Sequence, residues 1–222
     1  MRTLHASLLF VAASACASLN PDYQQLPDDA LRELLATAPN TAAMSEVDRE
    51  RIQFGVERLA TRYPSHVPSQ VAAAAIAQAS GQTQRAQGYA DRAIELHPAN
   101  VEARCVRVRI AVADGSMSLA RKLVDDGIRM RPDAAPLYEA SAWLHQLNSQ
   151  YDDAVDALDA AAALGAPPWR IAFHKGLAEE LRGDADKAAA HYRAALNANS
   201  TCVEAQQRLT GLEARRQLNS GK

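Results

Sequence analysis

Residues 176–200 read GLAEELRGDADKAAAHYRAALNANS. A helix-forming run ends at Gly183, where a left-handed residue closes a helix. Asp184 is placed to cap the alanine-rich run that follows. The same columns return upstream at 34-residue steps. Ala188 is preceded by Ala154, Ala120 and Ala86, and Gly183 by Gly115 and Gly81, with Ser149 interrupting. Pro132, Pro98 and Pro64 occupy the column that holds Ser200; the step between lands on Ala166, with Pro167 one residue later. Three columns at a fixed offset mark a structural repeat rather than an accident of an alanine-rich composition.

Each column has a physical reason. The alanine lies where two helices cross, so a larger side chain would force them apart. The glycine ends the first helix, and the proline cannot continue the second. Pro68 and Pro136 follow their repeat-ending prolines by four residues, at the first helical turn where proline is tolerated. Ser45 with Asp48 and Thr201 with Glu204 read as capping boxes, and Asn100 as a further N-cap.

A helix-turn-helix period of this length resembles the tetratricopeptide repeat. The last unit carries the resemblance best, in Gly176, Gly183, Ala188, Tyr192 and Ala195. The first gives Gly81, Ala86, Ala90, Ala93 and Pro98; the third gives Tyr138, Ala142, Ala154 and Ala161. The second departs, with Arg104 and Arg107 in columns that the family keeps apolar. The resemblance implies an all-α fold, a right-handed superhelix of helix-turn-helix repeats (an α-solenoid). Four repeats are expected over 67–200. N-terminal helices with a partial repeat cover 28–66, where Ile52, Val56, Leu59 and Pro64 fit a second helix. A C-terminal capping helix covers 201–218. Asp28 to Ala38 reads as a helix broken by Pro39-Asn40.

Residues 1–15 read as a signal peptide: Arg2, then an apolar stretch around Leu8 to Val11, then Ala13-Ser14-Ala15. The stretch is too short to span a bilayer, which needs about 20 apolar residues. Ala13-Ser14-Ala15-Cys16 resembles the lipobox of bacterial lipoproteins, with Ala13 where that family usually has leucine. The resemblance implies a lipid on Cys16, a tether over 16–27 and attachment to a bacterial membrane on the periplasmic side. Ala17 in place of aspartate favours the outer membrane. The same residues fit an ordinary A-x-A cleavage site, which leaves a soluble periplasmic protein. Cys105 and Cys202 fall on distant repeats, outside the reach of a disulfide, and read as free thiols.

The 222 residues are 48% hydrophobic and 23% charged, and 24 basic against 26 acidic residues leave no broad positive field for a nucleic-acid backbone. Arg104, Arg107 and Arg109 read as a solvated helix face. The six histidines show no metal-ligand spacing with one another or with cysteine. No nucleophile elbow, phosphate loop or dinucleotide fingerprint occurs. Adjacent pairs such as Asp125-Asp126, Asp152-Asp153 and Glu179-Glu180 point about 100° apart on a helix and share no site. No catalytic residue, metal, cofactor or small-molecule substrate is therefore expected.

In the tetratricopeptide family, ligands usually lie in the concave groove lined by the first helix of each repeat. Carried onto this register, the resemblance implies a lining of Glu102, Cys105, Arg109 and Val112, then Glu139, Trp143 and Gln146, then Arg170, Phe173, Leu177 and Glu180. Arg109 beside Trp143 would set a guanidinium on an indole, and Trp143 beside Phe173 would make an apolar platform for a peptide. Packing of Trp143 and Phe173 between repeats is the alternative. The family's two-carboxylate clamp is absent, because its positions hold Cys105, Arg109, Glu139 and Trp143. The resemblance implies a non-catalytic scaffold that binds a protein or peptide of the cell envelope, of the pilus, secretion or outer-membrane assembly type. The alternative partner is a cell-wall or polysaccharide enzyme.

Overall fold

The computed structural model describes residues 27–36 and 45–220, and every regular element among them is an α-helix, eleven in all. Residues 1–26 and 37–44 lie outside the described residues; they hold the signal peptide, Cys16, the tether up to 26 and the Pro39-Asn40 break. The chain divides into two compact units, one closing at Leu96 and the other opening at His97. No helix among the described residues is long and apolar enough to cross a membrane.

The first unit contains α1 (Pro27–Ala36), α2 (Glu46–Arg62), α3 (Val67–Ala79) and α4 (Thr83–Leu96). Ser45 caps α2, accepting a hydrogen bond from Asp48 N at 3.1 Å. Leu34 of α1 seats on Gly55 of α2, where a Cβ would stand 2.7 Å from the leucine methyl. Leu31, Ile52, Val56, Leu59, Ala60 and Ala73 form the core there. The His66 ring lies between Asp28 (2.9 Å) and Ser69 (2.7 Å), so it ties α1 to the start of α3.

The second unit contains α5 (Val101–Ala113), α6 (Met117–Met130), α7 (Ala135–Leu147), α8 (Tyr151–Ala163), α9 (Pro168–Arg182), α10 (Ala185–Ala198) and α11 (Val203–Ser220). α5 packs on α6, α7 on α8 and α9 on α10, and each hairpin packs on the next. Asn100 and Asp184 cap α5 and α10, accepting from Ala103 N at 2.7 Å and Lys187 N at 3.0 Å. Pro136 and Pro168 sit in the first turns of α7 and α9, where a missing N–H costs nothing.

The repeat columns become positions in space. Ala86, Ala120, Ala154 and Ala188 are all fully buried. Gly81, Gly115 and Gly183 hold φ of 71°, 76° and 94°, and Ser149 takes the same left-handed conformation at 59° without being glycine. A second pair of columns varies in size but compensates. Val108 faces a cluster with Val124, and Ala142 one with Leu158. Gly176 lies under the Tyr192 ring, where a Cβ would stand 2.6 Å from the ring edge.

Two sequence readings are corrected. Arg104 and Arg107 do not form a solvated face; they are 4% and 9% exposed. Arg104 Nε donates to Pro98 O at 2.7 Å and Nη1 to Leu123 O at 3.3 Å, which satisfies its buried donors. The column is general: Gln70 reaches Pro64 O at 3.4 Å, and Tyr138 OH reaches Pro132 O at 3.1 Å. In three successive repeats a side chain six residues past the closing proline holds that proline's carbonyl. Thr201 does not cap the last helix. Its hydroxyl donates to Asn199 Oδ1 at 2.8 Å inside the preceding turn, and the helix begins at Val203 and runs on to Ser220.

Candidate functional site

The predicted lining falls in the second unit, on α5, α7 and α9. Glu102 and Arg109 are exposed on α5, with Cys105 half-buried between them. The Cys105 thiol points at Pro136 O, 3.7 Å away on α7. Burial pushes it up to about 11, Arg109 opposing and Glu139 and Glu102 adding. It therefore stays protonated at neutral pH and is no nucleophile.

On α7, Glu139 holds Arg170 of α9, with Nε at 2.5 Å and Nη2 at 2.7 Å. Gln146 is buried and donates to His174 O of α9 at 2.9 Å. Burial lowers the pKa of His174, and Arg170 lowers it further against the opposing pull of Glu139, so the ring is neutral at pH 7. Cys105, Glu139, Gln146 and Arg170 thus join neighbouring first helices to each other. This follows from the period: residues about 31 apart meet across successive repeats, so polar side chains on this face find each other before a ligand does.

Trp143 is half-buried and packs on the cluster of Val108, Ala111, Val124 and Leu144. Phe173 and Leu177 pack on a different cluster, around Tyr192 and Leu209. The Phe173 ring lies 5.9 Å from Tyr192 and 5.4 Å from His174. The two aromatics therefore serve separate cores and do not form one platform. The cation–π contact found among the described residues is Arg62 over Tyr63, not Arg109 over Trp143. Val112 is half-buried against the same cluster as Trp143. Glu180 is drawn away towards α11: it accepts from Tyr192 OH at 2.7 Å and from Arg215 at 2.9 Å, with Arg208 at 3.6 Å.

What remains open on this face is a feature that the sequence reading passed over. Leu147 and Leu181 are 49% and 57% exposed. They stand 34 residues apart, one helical turn beyond Trp143 and Leu177. The signal was present as a leucine just ahead of the hairpin turns that follow α7 and α9, in a column that holds Ala79 and Ala113 in the two earlier hairpins. Trp143 with Leu147, and Leu177 with Leu181, form two apolar edges on helices that the Glu139–Arg170 and Gln146–His174 contacts hold side by side.

A cleft of about 810 Å³ opens between α10 and α11. Its arginines are already paired: Arg193 with Glu213 at 2.8 Å, Arg216 with Asp186 at 3.2 Å, Arg215 with Glu180, and Arg182 with Asp152. It offers no uncompensated charge to an anionic ligand. Among the described residues no group of three or more His, Cys, Asp or Glu is placed to hold a metal ion.

A family model described as tetratricopeptide repeat matches residues 71–135 and 140–201. No curated protein matches. Among solved structures, a thermophilic TPR protein of Thermus thermophilus is 18% identical, with 85% of this chain and 100% of that chain covered, at a TM-score of 0.74. MamA 41-end from Desulfovibrio magneticus is 15% identical over 79% of this chain and 94% of that one, at 0.56. A Pseudomonas aeruginosa pilF structure is 14% identical over 68% and 69%, at 0.59. At these identities the likeness establishes the fold alone.

Proposed function

We propose, from the premise that the chain belongs to the tetratricopeptide-repeat family, that it is a non-catalytic scaffold of a bacterial cell envelope, held to the membrane by a lipid on Cys16. It recruits or stabilises a membrane-associated assembly by binding a protein or peptide on the first-helix face of its second unit. The repeats themselves make the chain a protein-interaction scaffold. The observation that carries the binding face is the pair of exposed leucines, Leu147 and Leu181, beside half-buried Trp143 and Leu177. Apolar side chains this open, at the same position of two successive repeats, suit the apolar anchors of a peptide. Glu102 and Arg109, both exposed, supply opposite charges at the rim. The envelope location rests on the lipobox-like Ala13-Ser14-Ala15-Cys16.

Photo-crosslinking in the cell of origin tests the face, with the probe at Leu147 or Leu181 and a control probe at Arg216. A discrete adduct from the leucine positions alone identifies the partner and places it on α7 and α9. Adducts from Arg216 alone move the binding surface to α11 and remove the assignment. Cys16→Ser with membrane fractionation tests the anchor separately: release into the soluble fraction supports it. A wild-type chain that is itself soluble supports the periplasmic adaptor instead.

A further inference from the structure

The first unit carries a feature that the repeat does not explain. α2 places Val47, Arg51, Phe54 and Arg58 within about 60° of one another round its axis. All four are exposed, Val47 at 73% and Phe54 at 68%. The stripe faces away from the core that Ile52, Val56 and Leu59 build with α1 and α3. Arg51 holds Asp48 at 3.2 Å across a solvent-exposed pair, and Arg58 has no ion pair among the described residues. Two large apolar side chains alternating with two guanidiniums, on one narrow line, are an amphipathic face without an internal partner.

We propose that this stripe lies against the surface of an anionic phospholipid bilayer, and so sets the orientation of the first unit on the membrane. The inference rests on the lipid anchor at Cys16 proposed above. Eleven residue steps separate Cys16 from Pro27, and a chain of that length spans at most about 40 Å. The anchor therefore keeps α1, and α2 beyond it, within reach of the headgroups. Phe54 and Val47 supply apolar insertion at the headgroup boundary, while Arg51 and Arg58 pair with phosphates and carry their stems along the apolar surface. Juxtamembrane arginines gain from an anionic surface within a Debye length. A second copy of the chain is a poorer occupant. A symmetric antiparallel pairing of two α2 helices centred on Phe54 sets Arg51 of one copy beside Arg58 of the other, like charge against like.

The test uses the full-length acylated chain reconstituted into vesicles with bromine-labelled acyl chains. Phe54→Trp supplies an indole on the stripe, and the wild-type signal of Trp143 and Trp169 is subtracted. The mass of the N-terminal peptide reports acylation of Cys16 independently. The expected result is quenching at the Phe54→Trp position in phosphatidylglycerol-containing vesicles, falling at least threefold in purely zwitterionic vesicles or on adding Arg51→Gln with Arg58→Gln. An acylated chain whose indole stays unquenched overturns the stripe's role and leaves the anchor standing. Quenching that ignores both lipid charge and the arginines overturns it too. A chain without acyl groups on Cys16 removes the anchor reading on which the proposal depends. A discrete dimer crosslinked through position 54 shows that a second copy covers the stripe instead.

Discussion

The second and last repeats solve one packing problem in opposite directions. In the last repeat the space is on the first helix: Gly176 of α9 receives the Tyr192 ring from α10. In the second it is on the second helix: Gly127 of α6 receives Arg104 from α5 and Leu137 from α7, where a Cβ would stand 3.2 and 3.0 Å from their side chains. Both large side chains are buried and polar-tipped, and each delivers its tip to a partner. Tyr192 donates to Glu180, and Arg104 donates to Pro98 O. The helix crossing thus demands a filled volume and a satisfied tip, and it accepts different residues that meet both conditions. This is how the second repeat holds an arginine in a column that the family keeps apolar.

The two glycines give the sharpest contrast. Gly176→Ala drives a methyl to 2.6 Å from a fully buried aromatic ring that has no room to retreat. It is expected to cost about 3 kcal/mol in urea unfolding. Gly127→Ala brings its methyl only to 3.0 Å from Leu137 and 3.2 Å from Arg104 Cδ, a milder approach that small side-chain shifts relieve, and helix propensity returns about 1 kcal/mol. Its net cost is expected to stay below about 1 kcal/mol, and equal losses at the two sites would end the comparison. The polar tips come next. Arg104→Met strips the donors from two carbonyls and should cost about 2 kcal/mol, whereas Tyr192→Phe should cost about 1 kcal/mol because Glu180 keeps Arg215. A reversed order in thermal unfolding would show that the tyrosine tip, not the arginine, is the critical bond.

The same contrast reaches pH. Burial disfavours ionisation of Glu180, but the hydrogen bonds from Tyr192 and Arg215, with the charges of Arg208 and Arg215, outweigh it and hold the carboxyl below its ordinary 4.5. A lowered folded pKa means that the folded chain binds fewer protons than the unfolded one. The stability gained is full above about pH 4.5 and is lost as pH falls through the lowered value. Glu180→Gln should therefore be less stable than wild type near neutrality, with the gap closing in acid. A gap independent of pH would separate the effect from ionisation. Among the described residues no carboxylate pairs with Arg104, so its contacts should lack this acid sensitivity. The smallest effect is expected at Ser149, which holds φ of 59° where its counterparts are glycine. Ser149→Gly should raise stability by about 0.5–1 kcal/mol in thermal unfolding.

The leucine edge was legible in the columns, since Leu147 and Leu181 share a register with the predicted Trp143 and Leu177. It was missed because a lone leucine on a helix reads as core until its exposure is known. Cys105, Glu139, Gln146 and Arg170 were placed on the right helices, but their partners were not foreseen. A 34-residue register predicts neighbours at equal columns, whereas the contacts that form cross columns, as Glu139 with Arg170 does. The size compensation between Gly176 and Tyr192 was half-visible: both residues were singled out as repeat markers, without the contact that couples them.

The sequence by itself determined the class, the period and the turns, because backbone constraints are local. A left-handed cap needs glycine or a strained substitute, proline ends a helix, and the fully buried column of Ala86, Ala120, Ala154 and Ala188 admits only a small side chain, so each leaves a mark at its own position. Only the tertiary structure decided which polar and aromatic side chains are occupied. Arg104 reads as charged surface in sequence and is 4% exposed in the fold; Leu181, an apolar residue on an amphipathic helix, is 57% exposed. Burial depends on which residues from other helices arrive at the same place. Those residues lie about 30 positions away along the chain, and no local pattern records whether they leave a gap or fill it.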